Sequence, residues 1–170
     1  NDKTAVKWYT LAAEQGYAIA QRYLGFMYAN GRGVPENDKT AVRWYTLAAE
    51  QGYAKGQYNL GTMYANGRGV PENDKTAVKW YTLAAEQGYA KGQYNLGTMY
   101  ANGRGVPEND KTAVKWYTLA AEQGYAIAQR YLGVMYANGR GVPENDKTAV
   151  KWYTLAAEQG YAKGLSLIHI

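Results

Sequence analysis

The chain contains no cysteine, which excludes a disulfide framework, a thiolate metal site and a cysteine nucleophile. Its one histidine is His169, close to the end, so imidazole acid–base chemistry and multi-histidine metal binding have little to draw on. No apolar run approaches the ~18 residues that a membrane-spanning helix needs, and membrane insertion is not expected. No signal peptide is recognisable, but the chain opens at Asn1 within a pattern and without an initiator methionine, which leaves the compartment open. Concentrated charge is missing too. The net charge of +5 is spread as one surplus positive charge per repeat: Lys39, Arg43, Lys55 and Arg68 stand against Asp38, Glu50 and Glu72. So thin a distribution argues against the basic stripe of a nucleic-acid binder.

What the chain has in abundance is itself. Asn37–Glu72 and Asn73–Glu108 differ only by Arg43 against Lys79, and the pattern recurs every 36 residues. A period of this size marks a solenoid, whose units bury their apolar faces only by stacking on neighbours.

Two helical patterns alternate within the period. Ala41, Trp44, Tyr45, Ala48 and Ala49 fall on one face of a helix, with Lys39, Arg43, Thr46 and Glu50 on the arc facing water. Asn37 can cap its free N–H groups, Asp38 complements the dipole, and Gly52 ends it in a left-handed conformation. The second pattern begins near Ala54, buries Gly56, Leu60, Met63 and Tyr64, and closes at Gly67. Gly61 costs roughly 1 kcal/mol of helix propensity against alanine, which implies a packing reason. Each helix is about 13 residues, too short to be stable alone in water. The expectation is an all-α array of antiparallel helix pairs.

Leu60-Gly61-x-x-Tyr64-x-x-Gly67-x-Gly69-Val70, followed by Ala77-x-x-Trp80-Tyr81-x-x-Ala84-Ala85-Glu86-Gln87-Gly88, closely resembles the Sel-one-like repeat (SLR), a relative of the tetratricopeptide repeat. The resemblance spans residues 1–164 and implies a right-handed α-solenoid, a superhelix used mostly as adaptor or scaffold. Its phase places the Leu–Gly helix first and the Trp–Tyr helix second. That gives repeats near 17–52, 53–88, 89–124 and 125–160, with 1–16 an orphan second helix. Asn37, Asn73, Asn109 and Asn145 stand where the family's cap is usually aspartate. Gly56 and Gly92 replace the family's common alanine, kept at Ala20 and Ala128, and should weaken their helices slightly. Residues 165–170 break the pattern and read as a cloning or sequencing scar.

Comparison between repeats isolates a stripe on the Leu–Gly helix. Ile19, Arg22, Tyr23 and Phe26 become Lys55, Tyr58, Asn59 and Thr62, then Lys91, Tyr94, Asn95 and Thr98, then Ile127, Arg130, Tyr131 and Val134. Lys163 and Gly164 resume the second type, a super-period of 108 residues that points to duplication of a three-repeat block. The stripe lies away from Leu60 and Met63. The resemblance implies that this helix lines a concave surface, so a ligand would meet Asn59, Asn95, Tyr58, Tyr94, Lys55, Lys91, Arg22, Tyr23, Arg130 and Tyr131. The amides of Asn59 and Asn95 can bond the backbone of an extended peptide, or equally be solvated or bonded between helices. Arg22 and Arg130 can pair ligand carboxylates, though a plain surface salt bridge is the ordinary fate of such residues. Tyr58, Tyr94, Tyr23 and Tyr131 are the candidate exposed rings, while Trp44, Tyr45 and Tyr64 belong to core arcs.

Catalysis has no local support. Acidic residues recur singly, GRGV lacks the residues of a phosphate loop, and no metal or cofactor motif is present. A protein-interaction scaffold for a peptide or partner protein is expected. Single-stranded nucleic-acid binding through Lys and Tyr and a structural spacer without a ligand are the alternatives. Natural arrays end in polar caps. Ala5, Trp8, Tyr9, Ala12 and Ala13 are therefore expected to lie partly uncovered and to favour self-association.

Overall fold

The computed structural model describes residues 1–160. His169, the resumed repeat at Lys163 and Gly164 and the 165–170 segment lie outside the described residues. Among the described residues there are nine helices and no strand. In order they are α1 (Asp2–Glu14), α2 (Ala18–Ala29), α3 (Asp38–Glu50), α4 (Ala54–Asn66), α5 (Asp74–Glu86), α6 (Ala90–Asn102), α7 (Asp110–Glu122), α8 (Ala126–Ala137) and α9 (Asp146–Glu158). They fall into two compact units, Asn1–Gln87 and a second that starts at Gly88. Odd-numbered helices carry the Trp–Tyr pattern and even-numbered helices the Leu–Gly pattern.

The odd helices start as the sequence indicates. The Asn37 side chain accepts from the Thr40 N–H at 3.0 Å, and Asp38 sits in the first turn. They end on Gly52, whose φ of 84° lets Gly52 N–H reach Ala49 O at 3.0 Å and Tyr53 N–H reach Ala48 O at 3.2 Å. This double closure satisfies carbonyls that the helix end would leave free. Even helices begin at Tyr53 without a side-chain cap, so packing has to define that end.

Within each unit the most extensive contacts join a Leu–Gly helix to the Trp–Tyr helix that follows it: α2 with α3, α4 with α5, α6 with α7 and α8 with α9. The cause is the glycine of the Leu–Gly pair. A Cβ on Gly25 would stand 2.7 Å from Tyr45 Cδ1, and one on Gly61 2.9 Å from Tyr81 Cδ1. The missing side chain seats a tyrosine ring, and the rings of Tyr45, Tyr81, Tyr117 and Tyr153 are buried as a result. Around them lie Leu24, Leu60, Leu96 and Leu132, each at most 1% exposed.

Gly56 differs from the propensity expectation. A Cβ there would meet Ala48 Cβ at 2.8 Å and Ala48 C at 3.2 Å, so the residue permits a close approach of α4 to α3 as well as lowering helix propensity. Thr46, expected to face water, is half-buried and donates its hydroxyl to Val42 O at 2.7 Å.

Two polar devices recur that sequence reading missed. Gln21 is buried and donates to Ala13 O at 3.1 Å, while its own oxygen accepts from Gln51 Nε2 at 2.7 Å. Gln57 repeats this with Ala49 O and Gln87, and Gln129 with Ala121 O and Gln159. A buried amide is tolerated because its partners are supplied. The second device is a clasp: Arg68 reaches back to Asp38 through Nε (3.1 Å) and Nη2 (2.6 Å), and Nη2 also donates to Ala29 O at 2.7 Å. Arg140 makes the same grip on Asp110. The hydrogen bond to Asp38 is the main cause that raises the Arg68 pKa above its already high value. The signal for both devices was available, since glutamine and the Asp–Arg spacing never vary between repeats.

Candidate functional site

The stripe is placed by the even helices, and the two units use it differently. Lys55 and Lys91 are exposed, as are Tyr23 and Tyr131; Arg22, Arg130, Asn59 and Asn95 are half-buried. Tyr58 and Tyr94 are half-buried as well, which corrects the expectation of exposed rings. The Tyr58 ring packs on Tyr81 with centroids 6.0 Å apart, and Tyr94 packs on Tyr117 at 5.7 Å. Each even helix lies so close to the next odd helix that a ring here leans onto the buried tyrosine below.

In the first unit the stripe is polar. Arg22 does not form the surface salt bridge expected of it. Its Nε donates to Asn59 Oδ1 at 3.0 Å, and its guanidinium lies 5.0 Å from the Tyr23 ring centroid and 5.7 Å from that of Phe26. The planar cation is thus held over two rings while an amide fixes its direction. Tyr23 in turn stacks on Tyr9 at 5.2 Å. One end of Asn59 is therefore occupied by Arg22, and its Nδ2 group remains available. Further along, Thr62 Oγ1 lies 3.1 Å from Tyr81 Oη.

In the second unit the stripe is aromatic. Tyr94 contacts Tyr117, Tyr125 and Tyr131, the last two at 5.6 Å, and Tyr131 lies 5.9 Å from Tyr117. Burial pushes the Tyr94 hydroxyl above its usual range, and the neighbouring Tyr131 adds to the shift. Burial also raises Tyr117, partly offset by a hydrogen bond to Thr98. Arg130 lies 5.3 Å from the Tyr131 centroid, but its buried Nε has no hydrogen-bond partner. The Asn95 amide likewise has no hydrogen-bond partner among the described residues.

A cavity of about 330 Å³ opens in the first unit between Asp2, Ala5, Tyr9, Arg22, Tyr23, Phe26, Met27 and Arg32. Its counterpart one repeat on is filled: Ala41 is 0% and Tyr45 3% exposed, both covered where Gly25 meets the Tyr45 ring. Of the apolar residues expected to be uncovered at this end, Trp8 is 67% exposed, but Ala13 is buried at 2% because Ala20 and Leu24 of α2 pack on it.

No group of three or more His, Cys, Asp or Glu side chains that could hold a metal ion occurs among the described residues, and none of the described helices is long and apolar enough to cross a membrane. The model of the Sel1 repeat matches residues 1–17, 18–53, 54–89, 90–125 and 126–161. The chain belongs to the Sel1 repeat family. Solved structures agree. The chain is similar to c5321, a protective antigen present in uropathogenic Escherichia coli strains and displaying an SLR fold, with 38% identity and a TM-score of 0.93 over 98% of this chain and 36% of that one. It is similar to a Sel1 repeat protein from Oxalobacter formigenes, with 40% identity and a TM-score of 0.89 over 99% of this chain and 49% of that one. The immunity protein PA5088 from Pseudomonas aeruginosa is more distant, with 25% identity and a TM-score of 0.62 over 94% of this chain and 58% of that one. The chain thus spans about a third to a half of the first two relatives. No curated protein is similar to it at a significant level.

Proposed function

We infer that this Sel1 repeat chain is a protein-interaction scaffold, and that the stripe on the Leu–Gly helices of a unit holds an extended peptide or a partner's surface. The observation that carries the reading is the set of polar groups that keep hydrogen-bonding capacity once internal partners are satisfied. Asn95 keeps a whole amide, Asn59 keeps its Nδ2, and Lys55 and Lys91 stand exposed one helical turn away. An amide beside a lysine offers a donor, an acceptor and a cation, which suits the backbone and an acidic side chain of a peptide. The exposed rings of Tyr23 and Tyr131 add apolar area beside them.

The test is a selection of displayed random peptides on the intact chain, followed by titration of the best binder. Asn95→Ala with Lys91→Ala should lower affinity at least tenfold with unchanged helicity and melting. Unchanged affinity would remove this face from the reading. Preference for single-stranded oligonucleotides over peptides, with affinity falling steeply with salt, would replace it with the nucleic-acid alternative.

A further inference from the structure

The positions that vary between repeats also meet one another, and the way they meet suggests a second role. Arg22 on α2 reaches Asn59 on α4, thirty-seven residues on, through a 3.0 Å hydrogen bond. In the second unit the same two places hold Tyr94 on α6 and Tyr131 on α8, and their rings meet at 5.6 Å. The third observation is Arg130. It occupies the same place in its repeat as Arg22 does. Its Nε is buried and has no hydrogen-bond partner. An arginine at this place is thus satisfied where it meets an amide, and it keeps a buried, unpaired group where it meets none.

The geometry points to a pairing rule between consecutive Leu–Gly helices: a repeat carrying arginine at this place selects a successor repeat whose Leu–Gly helix carries a side-chain acceptor at the facing place. The partner recognised is another Sel1 repeat helix, and the chemistry of recognition is one directional hydrogen bond to a half-buried guanidinium. A tyrosine at the first place makes no such demand, since its ring can rest on a tyrosine. A burial-driven penalty enforces the rule: an unpaired polar group inside a contact is costly, whereas the same group paired costs little. The variable stripe then orders the array, because it sets which repeat type is compatible with which neighbour. This pairing requires no ligand on the stripe.

A double-mutant cycle tests it on the whole chain. Arg22→Leu and Asn59→Leu are made singly and together, and urea unfolding is followed by circular dichroism. Asn59→Leu should weaken folding about tenfold in its equilibrium constant, and adding Arg22→Leu should restore most of the loss, because the orphaned group has gone. Asn59→Asp, which keeps an acceptor, should retain the parent midpoint. Losses that simply add would overturn the pairing rule, as would an Asn59→Leu chain as stable as the parent. Should a variant fail to fold, the unmodified chain still decides: a scalar coupling across the hydrogen bond between Arg22 Nε and the Asn59 carboxamide is expected in its NMR spectrum, and absence of that coupling refutes the pair. A chain that shows this coupling but no peptide binding at Asn95 and Lys91 would keep the pairing rule and lose the interaction-face reading.

Discussion

Arg22 with Asn59 in the first unit and Tyr94 with Tyr131 in the second occupy the same places in the repeat, on scaffolds that match almost residue for residue. One pair is a directional hydrogen bond with a guanidinium lying on two rings. The other is part of a four-tyrosine cluster. Hydrogen bonding gains little net free energy when made and loses much when left unmade. Ring contacts gain by area and tolerate adjustment. The first unit therefore depends on the right neighbour at this junction, and the second depends on sheer contact. Identical backbones can thus be held together by two different kinds of force.

The sharpest way to break the comparison is to remove the central ring of the aromatic unit. Tyr94→Ala should cost about 3 kcal/mol, from lost burial and three ring contacts. Arg22→Ala in the polar unit should cost about 1 kcal/mol, since it removes the group that needs pairing along with the bond. Chemical denaturation of each variant measures the gap, and equal losses would erase the distinction. Next in size is the glycine common to both units. Gly61→Ala gains about 1 kcal/mol of helix propensity, but it drives a Cβ to 2.9 Å from the Tyr81 ring. A net loss of about 1–2 kcal/mol is expected from overpacking, and a stabilised variant would show that the tyrosine ring can retreat.

A pH dependence is the effect that both units should share. Burial pushes the Tyr45 hydroxyl from 10.0 to about 12, and burial raises Tyr117 in the second unit as well. Below pH 10 these phenols are protonated whether the chain is folded or unfolded, so they leave stability flat. Between pH 10 and about 12 the unfolded chain releases the Tyr45 proton while the folded chain retains it, and stability falls. Urea midpoints at pH 7, 9 and 11 should follow that course, and Tyr45→Phe should flatten part of the fall. A midpoint constant to pH 11 would mean the ring is not desolvated.

Much of this was legible beforehand. Asn37 as cap, Gly52 and Gly67 as stops, and Gly61 as a point of close approach each follow from a local rule that needs only near neighbours in the chain. The clasp of Arg68 on Asp38 and the relay through Gln57 were not read, because both residue types also make good surface residues and nothing local distinguishes the two fates. Tyr58 and Tyr94 are half-buried rather than exposed for a related reason. Helical periodicity tells which arc faces the main core, but not how near a second helix passes on the flank. The residue type alone points Arg22 to a carboxylate, whereas its amide partner lies thirty-seven residues away.

What this sequence determined alone is the repeat, the helix pair and the stops and caps that bound it, since those depend on spacing and on residues within a few positions of each other. Tertiary structure decided which variable side chains face one another and which face water. That choice turns on the few ångströms separating neighbouring helices, a distance set by glycine contacts such as Gly25 on Tyr45 and Gly56 on Ala48, and not expressed by any single repeat.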